Sequence, residues 1–207
     1  MRVRIPALQL PDRPCSIAVI GAAKSGKTTV CRSLIDAANM TLVCGSNQDY
    51  QYVPTAFVHS RLSCNLLKRI RQRQSALCRQ RALALATLVV DQGTIDDAVW
   101  RDLRQLLTNA RTYRLSVLCA LAPLELLRQY DQDPNDWPDW PAFDYVICCA
   151  AAPEDKQAIW QCYLPAMPWE AFSAIFDQTT AAFGCLVIDL SSCNANVLSR
   201  LAWYKVE

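Results

Sequence analysis

One short stretch of this sequence places residues with phosphate-binding chemistry at a fixed spacing. Gly21 is followed by four residues and then by Gly26-Lys27-Thr28, which is the complete P-loop pattern. Backbone N–H groups of such a loop converge on nucleotide phosphates, the lysine neutralises the β- and γ-phosphates, and the threonine holds Mg²⁺. The expected nucleotide-binding residues are Gly21, Ala22, Ala23, Lys24, Ser25, Gly26, Lys27, Thr28 and Thr29.

The elements on either side of this loop are predicted from their apolar patterns. Residues 15–20 form a β-branched, apolar run that is typical of a buried strand. Val30, Leu34 and Ile35 then recur with helical spacing, which predicts a helix from Lys27 to about Asn39 whose positive dipole end faces the phosphates. An ordinary strand–turn–helix without a nucleotide is the alternative interpretation.

A carboxylate that suits magnesium follows a second apolar run. Residues 85–92 predict a buried strand that ends at Asp91. In P-loop NTPases a carboxylate at such a strand end, the Walker B position, holds the Mg²⁺ hydration shell. Strands also end in Asp simply because Asp favours turns. Together with the P-loop, the pattern makes Thr28 and Asp91 the expected metal-binding residues.

The rest of the chain alternates between strand and helix patterns. Strand-like stretches are residues 41–44, 56–59, 115–121, 143–150 and 184–190, and helical periodicity occurs in residues 62–77, 95–110, 154–163 and 169–179. This alternation predicts an α/β fold with a mostly parallel central sheet flanked by helices. A strand and its crossover separate the P-loop strand from the Asp91 strand, which favours the ASCE, RecA-like branch of P-loop NTPases over kinases and GTPases.

The domain organisation is expected to be simple. Residues 1–14 contain three prolines and no periodic pattern, so they are interpreted as an N-terminal arm, and residues 15–207 as one P-loop domain. Residues 123–128 suggest a short helix, residues 130–141 a proline-broken acidic loop, and residues 201–207 an edge strand. No apolar run is long enough for a membrane span and no secretory signal pattern is present, so a cytosol-like compartment is expected.

Cysteine and histidine usage disfavours several other kinds of site. The eleven cysteines are odd in number and mostly lie within strand or helix patterns, which indicates buried free thiols. No Cys-x-x-Cys pattern occurs and His59 is the only histidine, so neither a zinc site nor a hydrolytic triad is expected.

Charge is distributed unevenly along the chain although the net charge is only +2. Residues 1–90 carry thirteen Lys/Arg and three Asp/Glu, whereas residues 91–207 carry eight and sixteen. One acid-free segment contains Arg61, Lys68, Arg69, Arg71, Arg73, Arg79 and Arg81. Such a basic helical face is either a solvated surface or a contact with nucleic acid phosphates or with the acidic half of a neighbouring subunit.

Taken in order, these motifs resemble those of a specific family. Besides the P-loop and residues 88–91, the resemblance rests on the basic helix 66–74, the segment 109–113, the strands 143–147 and 185–189, and the terminal Trp203-Tyr204-Lys205. Their order and spacing resemble the genome-packaging ATPases of poxviruses and other nucleocytoplasmic large DNA viruses, a branch of the FtsK/HerA superfamily.

The resemblance implies an ATP-driven, homo-oligomeric ring that moves double-stranded DNA into a viral capsid. It further implies ATP and Mg²⁺ as cofactors, a capsid or portal-vertex protein as a partner, and a location in the host cytoplasm, in a viral factory or with the virion. Lys27, Thr28 and Asp91 match the family's nucleotide and Mg²⁺ positions. Arg111 matches an arginine that reaches the neighbouring subunit's site, although it is also interpretable as a cation at a helix end.

Two positions depart from the family's pattern. Gln92 stands where the family has a second carboxylate, and an amide orients water but is a very poor base. Ala122 stands where relatives place a polar sensor at the end of the next strand. Asp96 and Asp97 are alternative sources of the missing carboxylate, or favourable charges at a helix start. The competing hypotheses are therefore a nucleotide-binding scaffold that hydrolyses poorly and, more weakly, a small-molecule kinase or GTPase.

Overall fold

The computed structural model describes residues 5–8, 13–35, 40–80, 85–91, 95–122, 143–191 and 196–206. Its strands are β1 (Ser16–Ile20), β2 (Met40–Cys44), β3 (Val58–His59), β4 (Ala86–Asp91), β5 (Leu115–Leu121), β6 (Tyr145–Cys148), β7 (Gly184–Asp189) and β8 (Leu201–Lys205). Within the described ranges these strands form one sheet in the order β3-β2-β4-β5-β1-β6-β7-β8. The first six strands in this order run parallel to one another, and β7 is antiparallel to both β6 and β8.

Strand order confirms the predicted fold class. β5 lies between the P-loop strand β1 and the Asp91 strand β4, and it pairs with both in parallel register. An interposed strand is the arrangement that the sequence predicted for a RecA-like P-loop domain. The mostly parallel sheet with flanking helices therefore has the α/β architecture that was expected.

Helices cover both faces of the sheet. They are α1 (Lys27–Ser33), α2 (Cys64–Arg79), α3 (Asp97–Thr108), α4 (Pro153–Tyr163) and α5 (Trp169–Thr180). Alternate residues of β1 face opposite cores: Ile17 and Val19 pack with α1, whereas Ala18 and Ile20 belong to the core of the other four helices. Burial on both faces explains why the central strands are apolar throughout.

Several predicted boundaries are corrected by the structure. α1 ends at Ser33 rather than near residue 39. The Val30 carbonyl accepts from the Leu34 N–H at 3.2 Å and from the Ser33 hydroxyl at 2.8 Å. α2 begins after Ser63, whose hydroxyl accepts from the Leu66 N–H at 3.3 Å and caps the helix. Residues 56–59 are only partly extended, because a 3₁₀ turn over Thr55–Phe57 precedes β3.

The strand predicted over residues 143–150 is shorter, since β6 covers Tyr145–Cys148 only. The predictions for residues 36–39, 123–128 and 130–141 concern segments outside the described ranges. β8 is the terminal strand of the sheet, as its alternating pattern predicted. The predicted N-terminal arm pairs with it: the Leu8 N–H donates to the Trp203 carbonyl and the Trp203 N–H to the Pro6 carbonyl, both at 2.8 Å.

Cysteines in the described ranges are all free thiols. Seven of them are buried: Cys15, Cys31, Cys44, Cys119, Cys148, Cys149 and Cys185. Burial raises the pKa of Cys15 to about 11, so this thiol stays protonated in neutral solution. Among the helices of the described ranges, none combines the length and apolar character needed to cross a membrane.

Candidate functional site

The P-loop pattern forms the connection between β1 and α1, at the carboxyl edge of the parallel strands. The Ala22 N–H donates to the Ala150 carbonyl at 3.1 Å, and the Ser25 N–H donates back to the Ala22 carbonyl at 3.2 Å. Lys24 and Gly26 have positive φ values of 61° and 96°. These contacts make a compact loop that rests on the chain just after β6.

The two glycines of the loop serve different purposes. A Cβ at Gly21 would lie 2.8 Å from the Cys149 Cβ and 2.5 Å from the Ser25 Oγ, so only glycine fits there. A Cβ at Gly26 would have no atom within 4 Å among the described residues, but the positive φ disfavours other residues. Gly26 therefore borders open space, which gives a phosphate room to approach the backbone.

Lys27 lies against its own loop. Its Nζ donates to the carbonyl oxygens of Gly21 at 2.9 Å and Ala22 at 2.7 Å. The ammonium group is thus held within the loop, where it can transfer its hydrogen bonds to an anion. Thr28 is half-buried in the first turn of α1, whereas Ala23 and Thr29 are exposed. The loop, Lys27 and Thr28 fit a nucleotide phosphate and its metal in donor type and position.

Asp91 is the last residue of β4 and is half-buried at the same edge of the sheet. One of its oxygens, Oδ2, accepts a hydrogen bond from the Tyr50 hydroxyl at 2.8 Å. No donor from the described ranges contacts Oδ1. A carboxylate that has one oxygen held and the other without a donor from the described part of the chain is suited to bind a hydrated divalent cation.

Tyr50 is the residue of this site that the sequence did not indicate. It lies in the turn after β2, its side chain is fully buried, and burial raises its pKa further above the usual tyrosine value. The phenol therefore remains protonated and acts as a hydrogen-bond donor. Because Tyr50 and Asp91 are 41 positions apart, no local pattern links them.

β2 and β4 approach each other closely beside this carboxylate. A Cβ on Gly45 would lie 2.9 Å from the Asp91 carbonyl oxygen, so the backbone immediately after β2 packs directly on residue 91. The close approach limits how far Asp91 can shift relative to the turn that carries Tyr50.

Arg111 lies at the opposite, amino edge of the parallel strands, in the turn that leads into β5. Its guanidinium pairs with the Asp144 carboxylate, which also accepts from the Ser16 N–H at 2.8 Å. The five residues of β1 span about 16 Å between this edge and the P-loop. Arg111 and the P-loop of the same chain are therefore not brought together.

Other candidate residues are placed less centrally. Ala122 is exposed just after β5, at the carboxyl edge between the strands of the P-loop and Asp91. Asp96 is the residue before α3 and pairs with Arg61 at 3.2 Å, while Asp97 lies in the first turn of that helix. Gln92, which stands where the resembling family has a second carboxylate, lies outside the described residues.

The basic segment forms an exposed surface on α2. Lys68, Arg69, Arg73 and Arg79 are exposed, and Arg71 is half-buried and donates to the Gln105 side chain. A groove of about 360 Å³ follows this surface and is lined by Lys68, Arg71, Gln72, Ser75, Ala76, Arg79 and Tyr113. We refer to these lining residues as the α2 groove. Arg81 lies outside the described residues.

No protein-family model matches this chain, and no curated protein matches it. Among solved structures, the cytoplasmic domain of the type VII secretion ATPase EccC from Thermomonospora curvata is similar at a TM-score of 0.50 and 16% sequence identity. That match covers 69% of this chain and 20% of the EccC chain. The similarity shows that this chain has the fold of a P-loop ATPase domain.

Two further structures match with lower scores. EccC ATPases 2 and 3 from the same organism, in complex with a signal sequence peptide, give a TM-score of 0.48 at 16% identity, with 69% of this chain and 31% of that chain covered. EssC ATPases 2 and 3 from Geobacillus thermodenitrificans give 0.47 at 11% identity, with 69% and 33% covered. The match thus spans a third or less of these multi-domain proteins.

Proposed function

We propose that this chain is an ATPase domain that binds ATP and Mg²⁺ through residues 21–29 and Asp91. The observation that carries the proposal is the joint position of the loop and Asp91 at the carboxyl edge, on strands that flank β5. When bound, Mg²⁺ neutralises charge on the β- and γ-phosphates. Lys27 would bind the same phosphates, and Thr28 and Asp91 would hold the metal and its hydration shell.

The proposed motor is a homo-oligomeric ring that translocates double-stranded DNA into a viral capsid. The resemblance to packaging ATPases supports this substrate, and the position of Arg111 supports the ring. An arginine at the amino edge reaches a γ-phosphate only when a second copy presents its carboxyl edge. In that setting Arg111 would stabilise the charge that develops during hydrolysis.

Further features of the proposal concern partners and location. The α2 groove supplies cations for contact with DNA phosphates, which are bound largely through Lys and Arg. A capsid or portal-vertex protein would anchor the ring, and the host cytoplasm, a viral factory or the virion would be its location. These features rest on the family resemblance together with the charge of the α2 surface.

The experiment that tests this function is ATP turnover of the purified protein with and without duplex DNA. We expect DNA to stimulate turnover, and Lys27→Ala to abolish both nucleotide binding and turnover. Lys205→Ala is a matched control because Lys205 is an exposed lysine on β8. Equal turnover in the wild type and Lys27→Ala would contradict the enzymatic proposal.

A nucleotide-binding scaffold with impaired hydrolysis is the second candidate, and the residues Gln92 and Ala122 favour it. If Gln92 alone limits turnover, Gln92→Glu should raise it by about 10²-fold or more, since a positioned base contributes on that order. Tight ATP binding without turnover in assembled rings on DNA, in both wild type and Gln92→Glu, would select the scaffold.

A further inference from the structure

The Tyr50 hydroxyl is positioned to act on Asp91 rather than on solvent. Its ring belongs to the same buried core as Val30, Cys31 and Val89, and none of its side chain is exposed. The hydroxyl at the end of this ring donates to the Asp91 Oδ2 at 2.8 Å. A buried ring has few alternative rotamers, so the donor is held at one place on the carboxylate.

This hydrogen bond determines which oxygen of Asp91 is available. Oδ2 is occupied by Tyr50, whereas Oδ1 is contacted by no donor from the described ranges. The backbone and Cβ of Asp91 are also packed closely by Gly45. A metal's bound water would therefore meet a carboxylate that already has one oxygen held by Tyr50.

We propose that Tyr50 is a positioning residue for the divalent cation that accompanies the nucleotide. It holds Oδ2 and thereby presents Oδ1 of Asp91 towards the metal's hydration shell. Hydrogen-bond partners that orient a metal-binding side chain generally contribute on the order of ten- to a hundredfold in metal affinity. This inference rests on the proposed function, because it requires that Asp91 serves a nucleotide-bound metal.

The test compares Tyr50→Phe with a hydroxyl deletion at a neighbouring tyrosine. Tyr52 is the matched control, because it lies two residues away, is 52% exposed and has its ring beneath Arg32 rather than at Asp91. For each variant, ATP affinity is measured by calorimetry with EDTA and over a Mg²⁺ titration. Thermal unfolding without nucleotide reports whether the variant is folded.

We expect Tyr50→Phe to raise the Mg²⁺ concentration for half-maximal ATP binding by about tenfold or more, with unchanged affinity for metal-free ATP. Tyr52→Phe should behave like the wild type. In Asp91→Asn, adding Tyr50→Phe should have no further effect on the Mg²⁺ dependence, because the carboxylate that Tyr50 orients is gone.

Three results would overturn the inference. A folded Tyr50→Phe protein with wild-type Mg²⁺ dependence would reduce Tyr50 to a packing role, as would a loss of thermal stability alone. A full, additive effect of Tyr50→Phe in the Asp91→Asn background would show that Tyr50 acts independently of Asp91. If the wild type binds no ATP with or without Mg²⁺, both the proposed function and this inference fail. In the first two results the wild type still binds ATP, so only the inference about Tyr50 fails.

Discussion

Of the two glycines in the loop, Gly21 has the less space around its α-carbon. Its neighbours are the buried Cys149, just after β6, and the Ser25 hydroxyl on the far side of the turn. The loop therefore depends on a contact with a distant part of the chain as well as on its own sequence. Gly26, by contrast, is required for its left-handed backbone.

These two requirements predict different outcomes for alanine substitutions. Gly21→Ala should displace the loop and weaken ATP binding by more than tenfold, since a Cβ would approach the Cys149 Cβ to 2.8 Å. Gly26→Ala should cost about 1 kcal/mol of stability through backbone strain, without a clash. Nucleotide titration and thermal unfolding measure the two effects. Wild-type ATP affinity in Gly21→Ala would contradict the steric argument.

At the scale of single residues, the sequence predicted the P-loop and Asp91 as site residues but did not indicate the residues that contact them. A P-loop is local, because all its residues lie within one turn and their spacing is visible. Tyr50 and Asp144 act through partners 41 and 33 positions away, and their contacts arise only when the sheet assembles. Single polar residues in turns carry no pattern that identifies such contacts.

At the scale of elements, apolar periodicity predicted strands and helices better than it predicted their ends. β5 was predicted with its observed bounds of Leu115–Leu121, because all of its residues except Ser116 are apolar. The predicted α1 was too long, since Leu34 and Ile35 continue the apolar pattern beyond the end of the helix at Ser33. Periodicity reports which residues are buried, but it does not mark where a helix ends.

The exposed basic residues of α2 lead to a prediction about DNA binding by this helix. Replacing Lys68, Arg69 and Arg79 by Gln should weaken duplex binding at 50 mM salt by at least tenfold and should flatten its salt dependence, because fewer counterions are released. Fluorescence anisotropy with labelled duplexes of two unrelated sequences measures both quantities. The loss should be similar for the two sequences.

A control variant distinguishes an effect of the α2 surface from a general effect of net charge. Arg101 is an exposed arginine on α3, outside the α2 groove, so Arg101→Gln should leave the duplex affinity close to that of the wild type. An equal loss per removed charge in Arg101→Gln and in the α2 variant would show that binding depends on net charge only. Unchanged duplex affinity of the α2 variant would show that the basic face is a solvated surface that does not contact DNA.

At the scale of the whole molecule, the sheet separates two sets of residues that the proposed reaction requires together. The P-loop and Asp91 occupy the carboxyl edge, and Arg111 occupies the amino edge. A ring in which each copy presents its amino edge to the next copy's carboxyl edge would join them. The strand between the P-loop strand and the Asp91 strand was predicted from the motifs, but this separation became visible only with the parallel register.

Subunit mixing tests the proposed ring. Lys27→Ala and Arg111→Ala should each reduce turnover, the latter by about 10³-fold if it stabilises the transferring phosphoryl group. A mixture should regain activity, because some interfaces combine an intact P-loop with an intact Arg111. Asp144→Asn removes the partner of Arg111 but retains the guanidinium, and it should preserve turnover in folded protein. No recovery on mixing would contradict action between subunits.

The pairing of residues 5–8 with β8 has a consequence for self-association. An uncovered edge strand offers unpaired backbone groups to other sheets, and proteins commonly block such edges. Here Pro6 and Leu8 form backbone hydrogen bonds with Trp203. The strand at the opposite end of the described sheet, β3, has only two residues. Removing residues 1–8 would expose β8 with its half-exposed Trp203, and it would convert this end of the sheet into a template for aggregation.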